Sequence, residues 1–171
     1  MRAVVPEVLL DERRRLGLDR KDELWDGVLH MVPPPGDPHQ GLSAELFLVL
    51  GPLAKARGLV PRMETGLFRT RDDYRVPDQL YRRPDAGSSR GAESAELVVE
   101  ILSPGDETVA KLPWYAELGV REVLVLDPDD RTARLFRGAT EVDAMSEVLG
   151  VAFASVEQAL CLSWDGGSST L

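Results

Sequence analysis

The chain has 171 residues, 43% of them hydrophobic and 29% charged, with a formal net charge of −9. This length carries one full core and is short for two ordinary domains, so one domain over residues 1–171 is expected. The composition excludes wholesale disorder, and no apolar run approaches the roughly 18 residues of a membrane helix. Residues 1–20 hold Glu7, Asp11, Glu12 and a run of arginines instead of a signal-peptide core, which points to a cytoplasmic protein. The lone cysteine, Cys161, has no disulfide partner and reads as a small core residue, and no Cys/His spacing suggests zinc. The negative charge argues against a general polyanion binder, yet residues 57–90 hold eight arginines against five acids. Any polyanion contact is expected there, with a solvated arginine-rich surface as the alternative.

Residues 6–17 predict a short helix, with proline in the first turn, arginines near the end and Gly17 as the stop. Asp26-Gly27 between apolar flanks predicts a β-hairpin over 23–32, closed by three prolines at 33–35. From His39 to Arg57, Leu42, Leu46, Val49, Leu50 and Leu53 keep helical spacing, and this is the longest predicted helix. Residues 59–69 predict a strand, 70–75 a charged turn, and 76–81 a short extended segment whose Pro77 favours an edge or a strand start. A loop over 82–94, rich in Gly and Ser, is expected to be mobile. After a strand at 97–102, Asp106 can cap a helix running to about Leu118, with Pro113 inside it and Gly119 after it. Residues 121–127 predict another apolar strand that 131–137 pairs back on. The end is expected as a strand over 148–153, a short helix over 155–160 and a frayed tail over 162–171, outside a core of about 5–155.

Leu97-Val98-Val99-Glu100-Ile101-Leu102 places one carboxylate inside an unbroken apolar run. Such a run reads as a central strand buried on both faces. An ionised carboxylate there costs several kcal/mol unless it is paired, hydrogen-bonded or bound to a metal. Two readings follow: a satisfied core glutamate paired with an arginine, or a metal ligand or catalytic acid at the edge of a cleft. Asp78 and Glu100 would supply two hard oxygen ligands of the kind Mg²⁺ accepts while keeping several waters. Lys111, one of three lysines, can orient or deprotonate a water if its pKa falls, and can otherwise stabilise transition-state charge. Each residue also has a plainer reading. Asp78 suits a turn, Lys111 a solvated helix face with Glu107 four residues earlier as its ion-pair partner, and His39 the first turn of its helix.

Several words in order resemble a known family: Glu23-x-x-Asp26-Gly27, the Pro-Pro-Pro loop followed by His39, Val76-Pro77-Asp78, Leu97 to Pro104, Lys111 with Tyr115, Gly119-Val120 and Asp127-Pro128. They look like the Uma-two family of restriction-endonuclease-like proteins, in the PD-(D/E)XK nuclease superfamily. The resemblance covers roughly residues 5–155. It implies an α/β (α+β) fold, a restriction-endonuclease-like mixed sheet flanked by helices, with the N-terminal helix and hairpin added. It implies Asp78 and Glu100 as metal ligands, Lys111 and Glu23 as further catalytic residues, and His39 and Tyr115 as supports around them. Leu102 stands where the superfamily commonly has its lysine, and the family pattern places that lysine at Lys111. Asp22 stands where an aromatic residue is usual. The arginines around Asp78, chiefly Arg75, Arg82 and Arg83, become candidate phosphate contacts.

The expected function is therefore a Mg²⁺-dependent endonuclease acting on DNA, with Mn²⁺ as a substitute and a homodimer as the superfamily-level expectation. Two alternatives stay open. One is a nuclease-like fold kept as a binding or dimerisation module without catalysis. The other is a phosphohydrolase acting on smaller substrates.

Overall fold

The computed structural model describes residues 6–17, 21–105 and 107–171. Helix α1 (Glu7–Leu16) ends at Gly17, whose φ of 66° is the left-handed conformation that closes many helices. None of its residues is buried, and Arg13 ties it down through a two-bond ion pair with Asp22. That pair gives Asp22 a purpose in place of the usual aromatic residue. Strands β1 (Glu23–Trp25) and β2 (Val28–His30) form the expected hairpin. Its turn residues Asp26 and Gly27 have φ of 49° and 79°, both positive as a tight two-residue hairpin turn requires.

Helix α2 (Asp37–Ala56) is the longest and has Pro38 in its first turn. Leu42, Leu46, Leu50 and Ala54 recur every four residues and are buried, each leucine contributing roughly 1.5–3 kcal/mol. Residues 59–69 are two strands instead of the expected one: β3 (Val60–Met63) and β4 (Leu67–Thr70) belong to different sheets. Glu64 takes a φ of 45° between them, and a side chain on Gly66 would meet the Phe68 ring at 2.6 Å. The charged turn is shorter than expected, because Asp73–Arg75 is strand β5, paired with β4 and β1.

Strand β6 (Gln79–Arg82) begins just after Pro77 and lies between β3 and β7 (Leu97–Ile101). The proline thus sits at a strand start, where it removes no ladder hydrogen bond. The loop expected to be mobile is tied down by a 3-10 turn at Pro84–Ala86 and by Ala92, which is fully buried and bridged to Leu67 and Gly87. Helix α3 (Thr108–Glu117) crosses from β7 to β8 (Glu122–Leu126), and these two strands are parallel. The expected Asp106 cap lies outside the described residues. Strands β9 (Ala133–Arg137) and β10 (Thr140–Val142) complete a six-stranded sheet of order β10-β9-β8-β7-β6-β3.

The C-terminal end overturns two expectations. Strands β11 (Met145–Ser146), β12 (Val151–Val156), β13 (Ala159–Trp164) and β14 (Gly167–Thr170) make a third, antiparallel sheet. Residues 155–160 are no helix: Glu157 and Gln158, with φ of 49° and 65°, turn β12 into β13. Residues 162–171 are no frayed tail, since β14 pairs along β13 and Leu171 exchanges two backbone hydrogen bonds with Leu160. Cys161 is half-buried on β13, outside the core.

Alternation along β7 sorts its side chains. Leu97, Val99 and Ile101 pack with α2 and the third sheet, while Val98 packs on the opposite face with Leu112, Trp114 and Tyr115 of α3. Glu100 shares the face of Val98, so the strand delivers one carboxylate towards α3.

Candidate active site

Gln79 pairs with Val99, and continuing that antiparallel register by one step sets Asp78 opposite Glu100. Asp78 stands at the open start of β6, where its Oδ2 accepts the Ile101 amide at 2.8 Å. His39, in the first turn of α2, brings Nε2 within 3.3 Å of the same oxygen. Burial works to lower the His39 pKa, but the hydrogen bond and charge of Asp78 outweigh it and raise the value above the ordinary one.

Glu100 is 4% exposed, and its Oε1 accepts the Tyr115 hydroxyl and, at 3.2 Å, the Lys111 ammonium. Lys111 and Tyr115 are four residues apart, so one face of α3 presents both. Lys111 also donates at 2.9 Å to Oε1 of Glu23, which is buried at 1% exposure. Glu23 accepts two more bonds, from the Val76 amide at 2.9 Å and from the Trp25 indole at 2.7 Å. The acid in the apolar strand is therefore paired, with a lysine that it shares and not with an arginine.

Three carboxylates around one ammonium leave excess negative charge. Burial pushes Glu100 up to about 7; Lys111 opposes this, and the charges of Asp78 and Glu23 add to it. Burial disfavours the charge on Lys111, yet Glu100 and Glu23 raise its pKa well above the usual value. Lys111 is thus held as an ammonium. Burial first, then Glu100 and Glu23, push the Tyr115 phenol far up, so that it acts as a hydrogen-bond donor and does not ionise.

Asp78, Glu100, Glu23, Lys111 and His39 line a cleft of about 290 Å³, while Met31, Val32 and Pro33 to Pro35 supply an apolar wall. Lys21 and Glu64 form an ion pair at its margin. Among the described residues, no group of three or more His, Cys, Asp or Glu side chains forms a ready-made metal cage. Mg²⁺ needs none, because it takes one or two carboxylates and keeps its waters. The bonds above use Oδ2 of Asp78 and Oε1 of Glu100 and leave Oδ1 and Oε2 for a ligand. The donor set and its excess negative charge fit a hard divalent cation.

Asp78, Glu100, Lys111, Glu23, His39 and Tyr115 are thus brought together. The arginines are not: Arg75, Arg82 and Arg83 do not line the cleft. Arg75 is buried and bonded to Asp73, Arg82 donates to the Arg83 and Pro84 carbonyls, and Arg83 pairs with Glu96. Glu107 does not occupy Lys111, since it bonds His30 Nδ1 at 2.8 Å. Trp25 and Lys21 were not singled out from the sequence. The signal for Trp25 was its place two residues after Glu23, which puts both on one strand face.

A mixed central sheet with helices against both faces, and two acids and a lysine meeting at one end of adjacent strands, is a restriction-endonuclease-like architecture. The chain belongs to the Uma2 family, described as "Putative restriction endonuclease", whose model matches residues 10–163. It is similar to the crystal structure of "a putative nuclease belonging to DUF820 from Anabaena variabilis ATCC 29413", with 21% identity, 86% of this chain and 88% of that one covered, and a TM-score of 0.65. At that identity the likeness establishes the fold. A match to a cryo-EM DrdV–DNA complex has 15% identity, covers 61% of this chain and 10% of that one, and has a TM-score of 0.42, too low to bear on the argument. No curated protein matches the sequence.

Proposed function

We propose that the protein is a divalent-metal-dependent endonuclease that hydrolyses phosphodiester bonds in DNA. The observation that carries this reading is the convergence of Asp78, Glu100, Glu23 and Lys111 on one cleft, with an oxygen of each of the first two left for a ligand. Membership of a family described as restriction endonucleases supports DNA as the substrate class. Asp78 and Glu100 would hold Mg²⁺, with Mn²⁺ as a substitute. The cation would supply Lewis-acid activation of water and offset charge on the phosphate.

The chain's own residues divide the remaining work. Lys111, kept cationic by two carboxylates, stabilises charge developing on the phosphoryl oxygens and does not serve as a base. Glu23 orients Lys111. Tyr115 fixes the Glu100 carboxylate and His39 fixes that of Asp78, each by bonding one oxygen. No phosphate contact is assigned to Arg75, whose guanidinium is internal.

Purified protein with Mg²⁺ or Mn²⁺ should nick supercoiled, linear or single-stranded DNA, and Asp78→Ala and Glu100→Ala should each reduce the rate at least ~100-fold. Residual cleavage equal to the wild type in both variants would assign the activity to a contaminant and contradict the proposal. A second reading, a nuclease-like binding module, draws on the net charge of −9 and the internal pairing of Arg75 and Arg83. Calorimetric titration with Mn²⁺ separates the two, because a binding module requires no metal affinity that depends on Asp78 and Glu100.

A further inference from the structure

Arg75 is 5% exposed, and its guanidinium lies between two indole rings, 4.4 Å from the Trp25 centroid and 4.5 Å from that of Trp114. A cation so far from water needs compensation. Its Nη1 donates to the Leu24 carbonyl at 2.9 Å, Asp73 Oδ1 at 3.0 Å and the Tyr74 carbonyl at 3.1 Å. The other Asp73 oxygen accepts the Trp114 indole N–H at 2.8 Å. On the far side of Trp25 the His30 ring stacks at 4.0 Å, so that indole is held on both faces.

Two sequence spacings turn this stack into a closed loop. Glu23 and Trp25 are two apart on β1 and share a face, and the Trp25 indole donates to Glu23 Oε2 at 2.7 Å. Lys111 and Trp114 are three apart on α3 and also share a face. Glu23 joins Trp25, Trp25 stacks on Arg75, Arg75 on Trp114, the helix leads back to Lys111, and Lys111 bonds Glu23 at 2.9 Å.

We propose that Arg75 is a positioning residue: it docks the β1–β2 hairpin on α3 and so holds the Glu23 carboxylate against Lys111. The purpose of this arrangement rests on the nuclease reading, but its geometry does not. A guanidinium is suited to the task because its flat faces meet aromatic rings while its N–H groups donate in the plane, whereas a lysine ammonium cannot do both. A core residue serving only to fill space would affect stability without acting selectively through Glu23.

The full chain carrying ¹⁵N-labelled lysine tests this, since it has only three lysines and the Nζ–H signal of Lys111 is assigned by its disappearance in Lys111→Arg. Glu23→Gln should shift that signal, while the bond to Glu100 keeps it observable. Arg75→Met and Trp25→Phe should move it in the same direction, Arg75→Lys should fail to restore it, and Arg75→Met should add nothing in the Glu23→Gln background. A wild-type Lys111 signal in folded Arg75→Met or Trp25→Phe would overturn the inference, as would an Arg75→Met effect undiminished by Glu23→Gln. Arg75→Gln, smaller than arginine and without its charge or its wide flat face, carries the test if Arg75→Met does not fold: it should move the Lys111 signal as Glu23→Gln does, and an unmoved signal in the folded protein would overturn the inference. DNA cleavage by the same proteins separates the two claims: the expected signal pattern in an inactive wild type contradicts the nuclease reading alone, and an active wild type with unmoved Lys111 contradicts only the role of Arg75.

Discussion

Glu100 and Glu122 are both buried in runs of Val and Leu, and their partners separate their roles. Glu122, 2% exposed, accepts the Ser146 hydroxyl at 2.6 Å and the Glu147 amide at 2.9 Å, and pairs with Arg137 at 3.3 Å. Its charge is compensated by its own surroundings, away from the cleft. Glu100 instead shares one lysine with Glu23 and faces Asp78, and burial with that repulsion lifts its pKa to about 7 from an ordinary 4.5. Between those values the folded protein binds more protons than the unfolded chain. The stability Glu100 contributes is therefore complete below pH 4.5 and is lost as pH rises to about 7. Unfolding in EDTA should show the wild type losing stability relative to Glu100→Gln over that window, and parallel curves for the two proteins would contradict the account. The sequence exposed the anomaly of Glu100, because a carboxylate in a Val/Leu/Ile run is conspicuous. It did not expose the role of Arg75, whose partners Trp25 and Trp114 lie 50 and 39 residues away.

At the scale of elements, local signals were most legible where backbone chemistry is distinctive. Asp26-Gly27 marked the hairpin, Gly17 ended α1, and the leucine spacing marked α2. The helix carrying Lys111 has its proline inside, and its first turn is tightened, with the Ala110 amide bonded to the Glu107 carbonyl three residues earlier at 2.9 Å. The C-terminal hairpins were missed because Glu157 and Gln158 take positive φ without a glycine to announce the turn. A period-two pattern was nonetheless present in Leu160 and Leu162, both buried. Leu162 packs in the cluster that includes α2, so Leu162→Ala should cost about 2–5 kcal/mol in denaturant unfolding. A negligible change would mean that this end contributes nothing to the core. Between β3 and β4 the Phe68 ring lies where a side chain on residue 66 would stand, a close approach that periodicity does not encode.

Across the whole molecule, the sheet and its two covering helices converge on one cleft. Asp78 comes from the start of β6, Glu100 from β7, Lys111 from α3, His39 from α2 and Glu23 from the hairpin. Ordered short words pointed to this set, while the charge map did not translate into a phosphate surface. Of the eight arginines between 57 and 90, Arg69, Arg75 and Arg83 pair with carboxylates of the same chain. What the cleft offers instead is excess negative charge around Lys111, which suits a cation first and a phosphate through it. Crystals of the full chain soaked in Mn²⁺ and measured at the manganese absorption edge test this most directly. The account predicts an anomalous peak in contact with the Asp78 and Glu100 carboxylates that disappears in Glu100→Gln crystals. At saturating Mn²⁺, no peak at those two residues in the wild type would contradict it.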